Sequence, residues 1–215
     1  IEEVVPVCEA LDADGELDYY NNCAGGMNTS RGLMYLTPPR SVEQRHAAPL
    51  AEALREDVHK PVYVVGRIND PQIADRILEK GQADMCGMAR ALICDPEMPR
   101  KTEENRAEDV RICIGCLQAC MGRYSAGFGV SCIQYPESGR ELEYGTRQPA
   151  EQSRRVLVVG GGPAGMKAAA VAAERGHRVT LFERGAQLGG QALLAQLLPG
   201  RAEFGGIAQN LAREM

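Results

Sequence analysis

The 215-residue chain is predicted to be an α/β protein with parallel sheets. Short β-branched runs alternate with helix-like segments in residues 61–90, and a strand–helix–strand order returns in residues 156–183. A cysteine-rich stretch at residues 113–132 and a polar, glycine-containing linker at residues 137–154 stand between these two series. The chain is therefore expected to hold two α/β parts with a cysteine segment between them.

The first sixty residues are expected to supply two helices and one strand. Residues 2–12 are typical of a helix end, and residues 17–22 (LDYYNN) of a strand that a glycine-containing loop follows. A second helix is predicted from Ser41 to Val58, with Ser41 as its N-cap and Gln44 three residues further on, which is a capping-box arrangement.

The next residues alternate strand and helix. Residues 61–66 (PVYVVG) form a short β-branched run that is typical of a buried parallel strand. Asp70, which precedes a proline, is predicted to cap a helix that runs to Lys80. Residues 83–88 (ADMCGM) are predicted to form the next strand, and a further helix follows Arg90. This repeat implies a parallel sheet.

Each of these two strands has a glycine near its carboxyl end and an arginine close by: Gly66 with Arg67, and Gly87 with Arg90. In a (β/α)8 barrel, the loops after the last two strands form a phosphate site, where glycine lets backbone N–H groups approach and arginine supplies a bidentate charge. The pattern favours a phosphorylated cofactor such as FMN. A turn glycine beside a solvated arginine would give the same pattern, and the residues alone leave both interpretations open.

Four cysteines are spaced C-x2-C-x3-C-x11-C: Cys113, Cys116, Cys120 and Cys132. The first three fall within eight residues, so the backbone must curl tightly to bring their thiols to one point. This spacing favours a [4Fe–4S] cluster, which takes four thiolates. A structural zinc site is the alternative, although its usual second C-x2-C pair is missing, and four free thiols are the third reading. The remaining four cysteines are predicted to be plain core thiols: Cys8, Cys23, Cys86 and Cys94.

Composition excludes several classes of partner. The net charge is −5 and the 24 basic residues are scattered, which argues against nucleic-acid binding. The apolar runs are shorter than a membrane span, and no signal peptide is visible. Metal-type cysteine spacing predicts a reducing, cytoplasmic compartment. Because the chain opens and ends within helix-like patterns, it is expected to be a segment of a longer protein.

A nucleotide-binding motif, G-x-G-x-x-G, is formed by Gly160, Gly162 and Gly165. It follows a buried strand and opens an alanine-rich helix, and a second strand finishes at Glu183. The three glycines permit a tight turn, close approach of a pyrophosphate and close helix–strand packing, while the acid accepts from ribose hydroxyls. An acid at this place favours FAD or NAD over NADP. Residues 188–191 (LGGQ) add a second close-approach turn.

Four motifs in this order resemble the iron–sulfur flavoenzymes related to 2,4-dienoyl-CoA reductase and trimethylamine dehydrogenase: VGRINDPQIADRILEKGQADMCGMARALICDP, CIGCLQAC, VVGGGPAG and LGGQ. The resemblance is good over residues 60–205 and loose before them. It implies three parts: the C-terminal portion of an FMN-binding TIM barrel (1–110), a [4Fe–4S] segment with a linker (111–150), and the start of a Rossmann-like domain that binds FAD or NAD (151–215).

The resemblance also implies site residues. It implies FMN-phosphate contacts by Arg67, Ala89 and Arg90, beside Gly66 of the glycine–arginine pattern. It implies cluster ligation by Cys113, Cys116, Cys120 and Cys132. Contacts to the second flavin, FAD, are implied at Gln118, Ala164, Glu183 and Gln191.

The function that the resemblance implies is an oxidoreductase in which NAD(P)H reduces FAD and electrons pass through the cluster to FMN, which reduces an enoyl substrate. The alternative is oxidation of a small N-methylated amine, with an electron-transfer flavoprotein as a partner. After residues 17–22 the loop CAGGMNTS has neither the histidine of the reductases nor the aspartate of trimethylamine dehydrogenase, so no catalytic residue is identified. Two further hypotheses are a zinc-stapled nucleotide-binding module without redox activity and a plain nicotinamide dehydrogenase.

Overall fold

A computed structural model describes residues 2–215, which divide into two compact units, one up to Leu92 and one from Ile93 onward. The division into parts 1–110, 111–150 and 151–215 stays a prediction. Within residues 2–215, no helix is both long enough and apolar enough to cross a membrane.

The first unit is built on a three-stranded parallel sheet in the order β1-β2-β3. Its strands are β1 Tyr20–Cys23, β2 Val62–Val65 and β3 Met85–Gly87. Its helices are α1 Val5–Asp14, α2 Ser30–Leu36, α3 Ala48–Arg55 and α4 Pro71–Glu79, and helix α5 Ala89–Cys94 begins in this unit and ends in the second. The strands are parallel and in register, so their carboxyl ends meet at one edge of the sheet. The predicted parallel sheet is confirmed.

Helix α4 shows how local sequence sets an element. The Asp70 side chain accepts a hydrogen bond from the backbone N–H of Gln72, and proline stands at the first helical position. Ala74 and Ile77, three residues apart, face the core, where Ile77 is fully buried. Gly81 then takes a φ of +67°, which ends the helix. The predicted cap and stop are both confirmed.

Three expectations for the first sixty residues differ from the structure. The helix predicted from Ser41 to Val58 forms only over α3, because Arg45 takes a φ of +54° and interrupts it. Gln44 closes no capping box; its side-chain amide donates to Asn69 Oδ1 at 2.9 Å. The strand predicted over residues 17–22 starts later, as β1.

Helix α2 is absent from the sequence prediction, although its start has a recognisable signal. The Thr29 hydroxyl accepts from the backbone N–H of Gly32 at 2.9 Å, which is an ordinary N-cap. The helix therefore begins inside the glycine-containing stretch that was expected to be loop.

The second unit holds a parallel pair, β4 Arg155–Val159 and β5 Arg178–Phe182, joined by α9 Pro163–Glu174. Its other helices are α6 Met98–Glu103, α7 Arg123–Ser125, α8 Glu141–Tyr144, α10 Gln191–Ala195 and α11 Gly205–Glu214. The core contains Met166, Ile207, Ala208 and Leu211 together with Ile114 from the cysteine segment. Burial of Ile114 fixes the cysteine segment against the helices of the nucleotide-binding fold.

Candidate functional site

The predicted phosphate residues of the first unit follow the carboxyl ends of β2 and β3. Val65 pairs with Gly87 in the register of these strands, so the residues that follow them leave the sheet at the same edge. At Gly66, an added Cβ would lie 2.8 Å from Ala47 Cβ and 3.0 Å from His46 Cε1. Only glycine allows this close approach of the chain.

The side chains of the two arginines at this edge are bound to backbone carbonyls and are not freely solvated. Arg67 is 8% exposed, takes a φ of +52°, and donates from Nη1 to the Val42 carbonyl at 2.8 Å. A non-glycine residue in the left-handed region costs about 1–3 kcal/mol, and such strain concentrates at functional sites. Arg90 is half-buried and donates from Nη1 to the Pro38 carbonyl at 2.8 Å. Both side chains are fixed by backbone carbonyls, while Ala89 is exposed at the start of α5.

In the second unit, the backbone around Cys116 curls in the way that a cluster site needs. Gly115 and Leu117, on its two sides, both take left-handed conformations, with φ values of +62° and +59°. Alternating left-handed residues turn successive N–H groups inward and form the anion-binding nests that many Fe–S sites use. A single π-helical turn, Gln118–Gly122, follows and carries Cys120. Such turns are frequent at functional sites.

Two hydrogen bonds draw the distant parts of the cysteine segment together. The backbone N–H of Ser131 donates to the Ala119 carbonyl at 2.9 Å, so Cys132 returns beside Cys120. The side-chain amide of Gln134 donates to the Ile112 carbonyl at 2.9 Å, which brings the chain after Cys132 to the chain before Cys113.

The four predicted ligands have a common environment. All are half-buried and free of disulfides. The thiol of Cys94 hydrogen-bonds Cys132 and, together with the backbone N–H groups of Gln134 and Tyr135 and the charge of Arg111, lowers the pKa of Cys132 to about 6 despite burial. Burial raises the pKa of Cys116, although the N–H of Gln118 opposes this effect. Donors directed at cysteine sulfur are the environment in which a thiolate ligand is stable.

Among residues 2–215, no three or more His, Cys, Asp or Glu side chains are grouped so that they could hold one metal ion. A cubane cluster has a different requirement. Each of its four thiolates binds a separate iron atom, so the sulfurs need not surround one ion. The cysteine segment fits this requirement, because its backbone is curled, its distant parts converge, and hydrogen-bond donors face its sulfurs. Ligation by the four cysteines stays a prediction.

The nucleotide motif of the second unit has the expected geometry. Gly160 follows β4 with a φ of +107°, and Gly162 caps α9. An added Cβ at Gly165 would lie 1.9 Å from the Gly160 carbonyl oxygen, so the helix and the turn are in direct contact there. The predicted strand, turn, helix and second strand are confirmed in order, but the first strand is not buried as predicted, because its residues are exposed or half-buried. Ala164 is exposed on the first turn of the helix.

Glu183 is the first residue after β5, one position beyond the end of the strand. Its carboxylate accepts from the backbone N–H groups of Gly185 at 2.6 Å and Gly161 at 2.7 Å, and these bonds lower its pKa. The backbone N–H of Gly189 donates to the Gly161 carbonyl at 2.8 Å, so the LGGQ turn lies against the glycine turn. Gln191, at the start of α10, is exposed.

Sequence reasoning missed two residues that contact the cysteine segment. Cys94 was expected to be a plain core thiol; it is fully buried, but it contacts Cys132. Gln134 is 6% exposed and hydrogen-bonds both sulfurs. No periodicity or spacing marks either residue. Cys23, also expected in the core, is exposed.

Comparison with known proteins gives a family match for one stretch near the beginning of the chain and for another near its end. Residues 31–109 match the NADH:flavin oxidoreductase / NADH oxidase family, and residues 158–210 match the NAD(P)-binding Rossmann-like domain. The chain is 45% identical over 197 residues to a metal reductase of Desulforamulus reducens, which covers 92% of this chain and 29% of that protein. It is 39% identical over 201 residues to an N,N-dimethylglycine/sarcosine dehydrogenase of Chromohalobacter salexigens, again covering 92% and 29%.

A solved structure of an oxidoreductase also matches the fold of this chain. The complex of 2-naphthoyl-CoA reductase with 2-naphthoyl-CoA matches 99% of this chain and 32% of that chain, with a TM-score of 0.89 at 27% identity.

The relatives that this chain matches are named as reductases and a dehydrogenase, which are oxidoreductases. Residues 31–109 carry a domain of the NADH:flavin oxidoreductase / NADH oxidase family. This match supports FMN as a cofactor of the first part, and the second match supports nucleotide binding by residues 158–210. The chain spans about a third of the length of these relatives.

Proposed function

We propose that this chain forms the electron-transfer part of an iron–sulfur flavoenzyme that binds FMN, a [4Fe–4S] cluster and FAD, and that the whole protein reduces an enoyl substrate with NAD(P)H. The observation that carries this proposal is the convergence of the cysteine segment, closed by the Ser131 and Gln134 hydrogen bonds, within the same unit as the nucleotide turn. When bound, such a cluster converts the two-electron chemistry of flavins into single-electron steps.

The chain's own residues would bind and orient these groups. Gly66 allows the backbone to approach the FMN phosphate, and the guanidinium groups of Arg67 and Arg90 supply charge at the same sheet edge. Each guanidinium is anchored by a backbone carbonyl, which limits the entropy lost on binding.

The second flavin would lie on the glycine turn. Gly162 and the N-terminus of α9 would receive the pyrophosphate, and Glu183 would accept from ribose hydroxyls. Its lowered pKa keeps the carboxylate ionised at neutral pH, as an acceptor-only group requires. Gln118 and Gln191 are both exposed and would contact the flavin from the cysteine segment and from α10.

Oxidation of an N-methylated amine, with an electron-transfer flavoprotein as partner, is the second candidate. Similarity to the N,N-dimethylglycine/sarcosine dehydrogenase supports this amine-oxidising candidate. Similarity to 2-naphthoyl-CoA reductase supports the enoyl-reducing candidate. Cysteine spacing and LGGQ resemble the reductases, while IQYPESGRE resembles the amine-oxidising branch. The stretch from Cys23 to Ser30 carries no histidine or acid, so it does not choose between them.

The two functions are separated by assaying the whole protein anaerobically. The expected result is flavin bleaching by NADH and NADH-dependent reduction of an enoyl thioester. Cys120→Ser should lose both iron and turnover while it keeps FMN, whereas Cys86→Ser, outside the cysteine segment, should keep all three. Oxidation of N-methylated amines without NADH-dependent reduction would favour the second candidate. A colourless protein that binds zinc would refute both.

A further inference from the structure

Gln134 makes four hydrogen bonds although it is only 6% exposed. Its backbone N–H donates to Cys132 Sγ at 3.4 Å, and its side-chain Nε2 donates to Cys94 Sγ at 3.3 Å and to the Ile112 carbonyl at 2.9 Å. Its Oε1 accepts from Asn210 Nδ2 at 3.2 Å. One buried residue thus bridges a predicted ligand, through its backbone N–H, and a thiol outside the C-x2-C-x3-C-x11-C pattern, through its side-chain amide. Fully satisfied buried networks of this kind are rigid and specific.

Cys94, the other sulfur on Gln134, is fixed from two sides. It ends α5, and its carbonyl accepts from Arg111 Nη1 at 2.9 Å. The next residue, Asp95, is 1% exposed and accepts from the Arg111 backbone N–H at 2.8 Å and from Lys101 Nζ at 2.6 Å. The Cys94 side chain is fully buried and hydrogen-bonds Cys132. These bonds and the burial hold Cys94 beside the cysteine segment.

We propose that Cys94 and Gln134 are positioning residues that donate hydrogen bonds to the Cys132 side of the cluster and raise its reduction potential. Cys94 then acts as a neutral donor, not as a fifth ligand. Three donors would converge on this side: the Cys94 S–H and the backbone N–H groups of Gln134 and Tyr135. The inference rests on the proposed function, because it needs the cluster to be bound.

The direction of the effect follows from charge. Reduction adds an electron to the cluster and increases the negative charge on its thiolates. Hydrogen bonds to those sulfurs stabilise the reduced form more than the oxidised form, so each donor makes the potential more positive. The S–H group is a weak donor in water, but burial removes its competitors for Cys132.

Ile112 and Asn210, on α11, together hold the direction of the Gln134 side-chain amide. The Ile112 carbonyl can only accept, so it requires Nε2 on its side, and Asn210 Nδ2 donates to Oε1 on the other; Nε2 therefore also faces Cys94. The nucleotide-binding fold thus contributes one of the two bonds that hold this amide, and Asn210 does so without touching a cysteine sulfur.

The test is an EPR-monitored redox titration of the whole protein, with iron content measured on each sample. Cys94→Ala should keep full iron and shift the midpoint potential to a more negative value. Cys94→Ser, which restores a donor, should recover part of the shift. Cys86→Ala, which removes a partly buried thiol outside the cysteine segment, should titrate like the wild type. Asn210→Leu keeps both cysteines and should also shift the midpoint potential to a more negative value. If Cys94→Ala does not accumulate as folded protein, Asn210→Leu is the variant that tests the inference.

Two results would overturn the inference: an unchanged potential in Cys94→Ala and Asn210→Leu with full iron, or loss of iron from Cys94→Ala, which would make Cys94 a ligand. A wild-type protein without iron would refute the proposed function itself, so the two failures are distinguishable.

Discussion

Replacing Gly165 by alanine should displace the nucleotide turn. The new Cβ would lie 1.9 Å from the Gly160 carbonyl oxygen, whereas real Cβ contacts below 3.0 Å essentially do not occur. The turn and helix α9 must therefore separate by 3.0 − 1.9 = 1.1 Å at least. Overpacking of this kind costs about 1–3 kcal/mol. If that cost falls on the bound state, affinity for FAD drops about 5- to 140-fold, since 1.4 kcal/mol is a factor of ten.

The assay is a titration of the deflavinated whole protein with FAD, followed by flavin fluorescence. Gly206→Ala is the matched control, because a Cβ at this position in α11 meets nothing within 4 Å. That control should bind FAD as the wild type does. Wild-type affinity in Gly165→Ala would refute the assignment of this turn as the pyrophosphate site.

Three further changes are expected to have measurable effects. Asp70→Ala removes the N-cap of α4 and should lower the free energy of unfolding by about 1 kcal/mol in urea denaturation; no change would contradict the cap. Arg67→Gln should reduce the FMN retained after desalting, measured by chromatography of released flavin, and full retention would remove Arg67 from the phosphate site. Hydrogen bonds from Gly185 and Gly161 lower the pKa of Glu183, so its stabilising effect is present above the ordinary glutamate pKa and is lost as pH falls through the lowered value. Thermal melts of Glu183→Gln should therefore differ from wild type at neutral pH and converge with it in acid, and a constant difference would contradict this.

Those features that depend on local contacts could be predicted from the sequence. In α4, the cap at Asp70 and the stop at Gly81 need only neighbouring residues. The nucleotide turn is equally local, because Gly160 and Gly165 must meet each other whatever surrounds them. Such motifs fix their own geometry, so spacing alone was enough to find them.

Those features that depend on distant contacts could not be predicted. Gln44 has the right spacing for a capping box, but Asn69, 25 residues away, provides its partner. Cys94 looks like an ordinary helical thiol until the fold brings Gln134, 40 residues on, within hydrogen-bonding distance. A tertiary contact of about 1 kcal/mol is enough to override a weak local preference in each case.

We expect the cysteine segment to bind a [4Fe–4S] cluster in a protein that also binds FMN and FAD. This expectation is tested most directly by iron, zinc and flavin analysis of the anaerobically purified whole protein, with its absorption spectrum. We predict a brown protein with about four irons, one FMN and one FAD per chain. A colourless protein that holds zinc and no iron would contradict it.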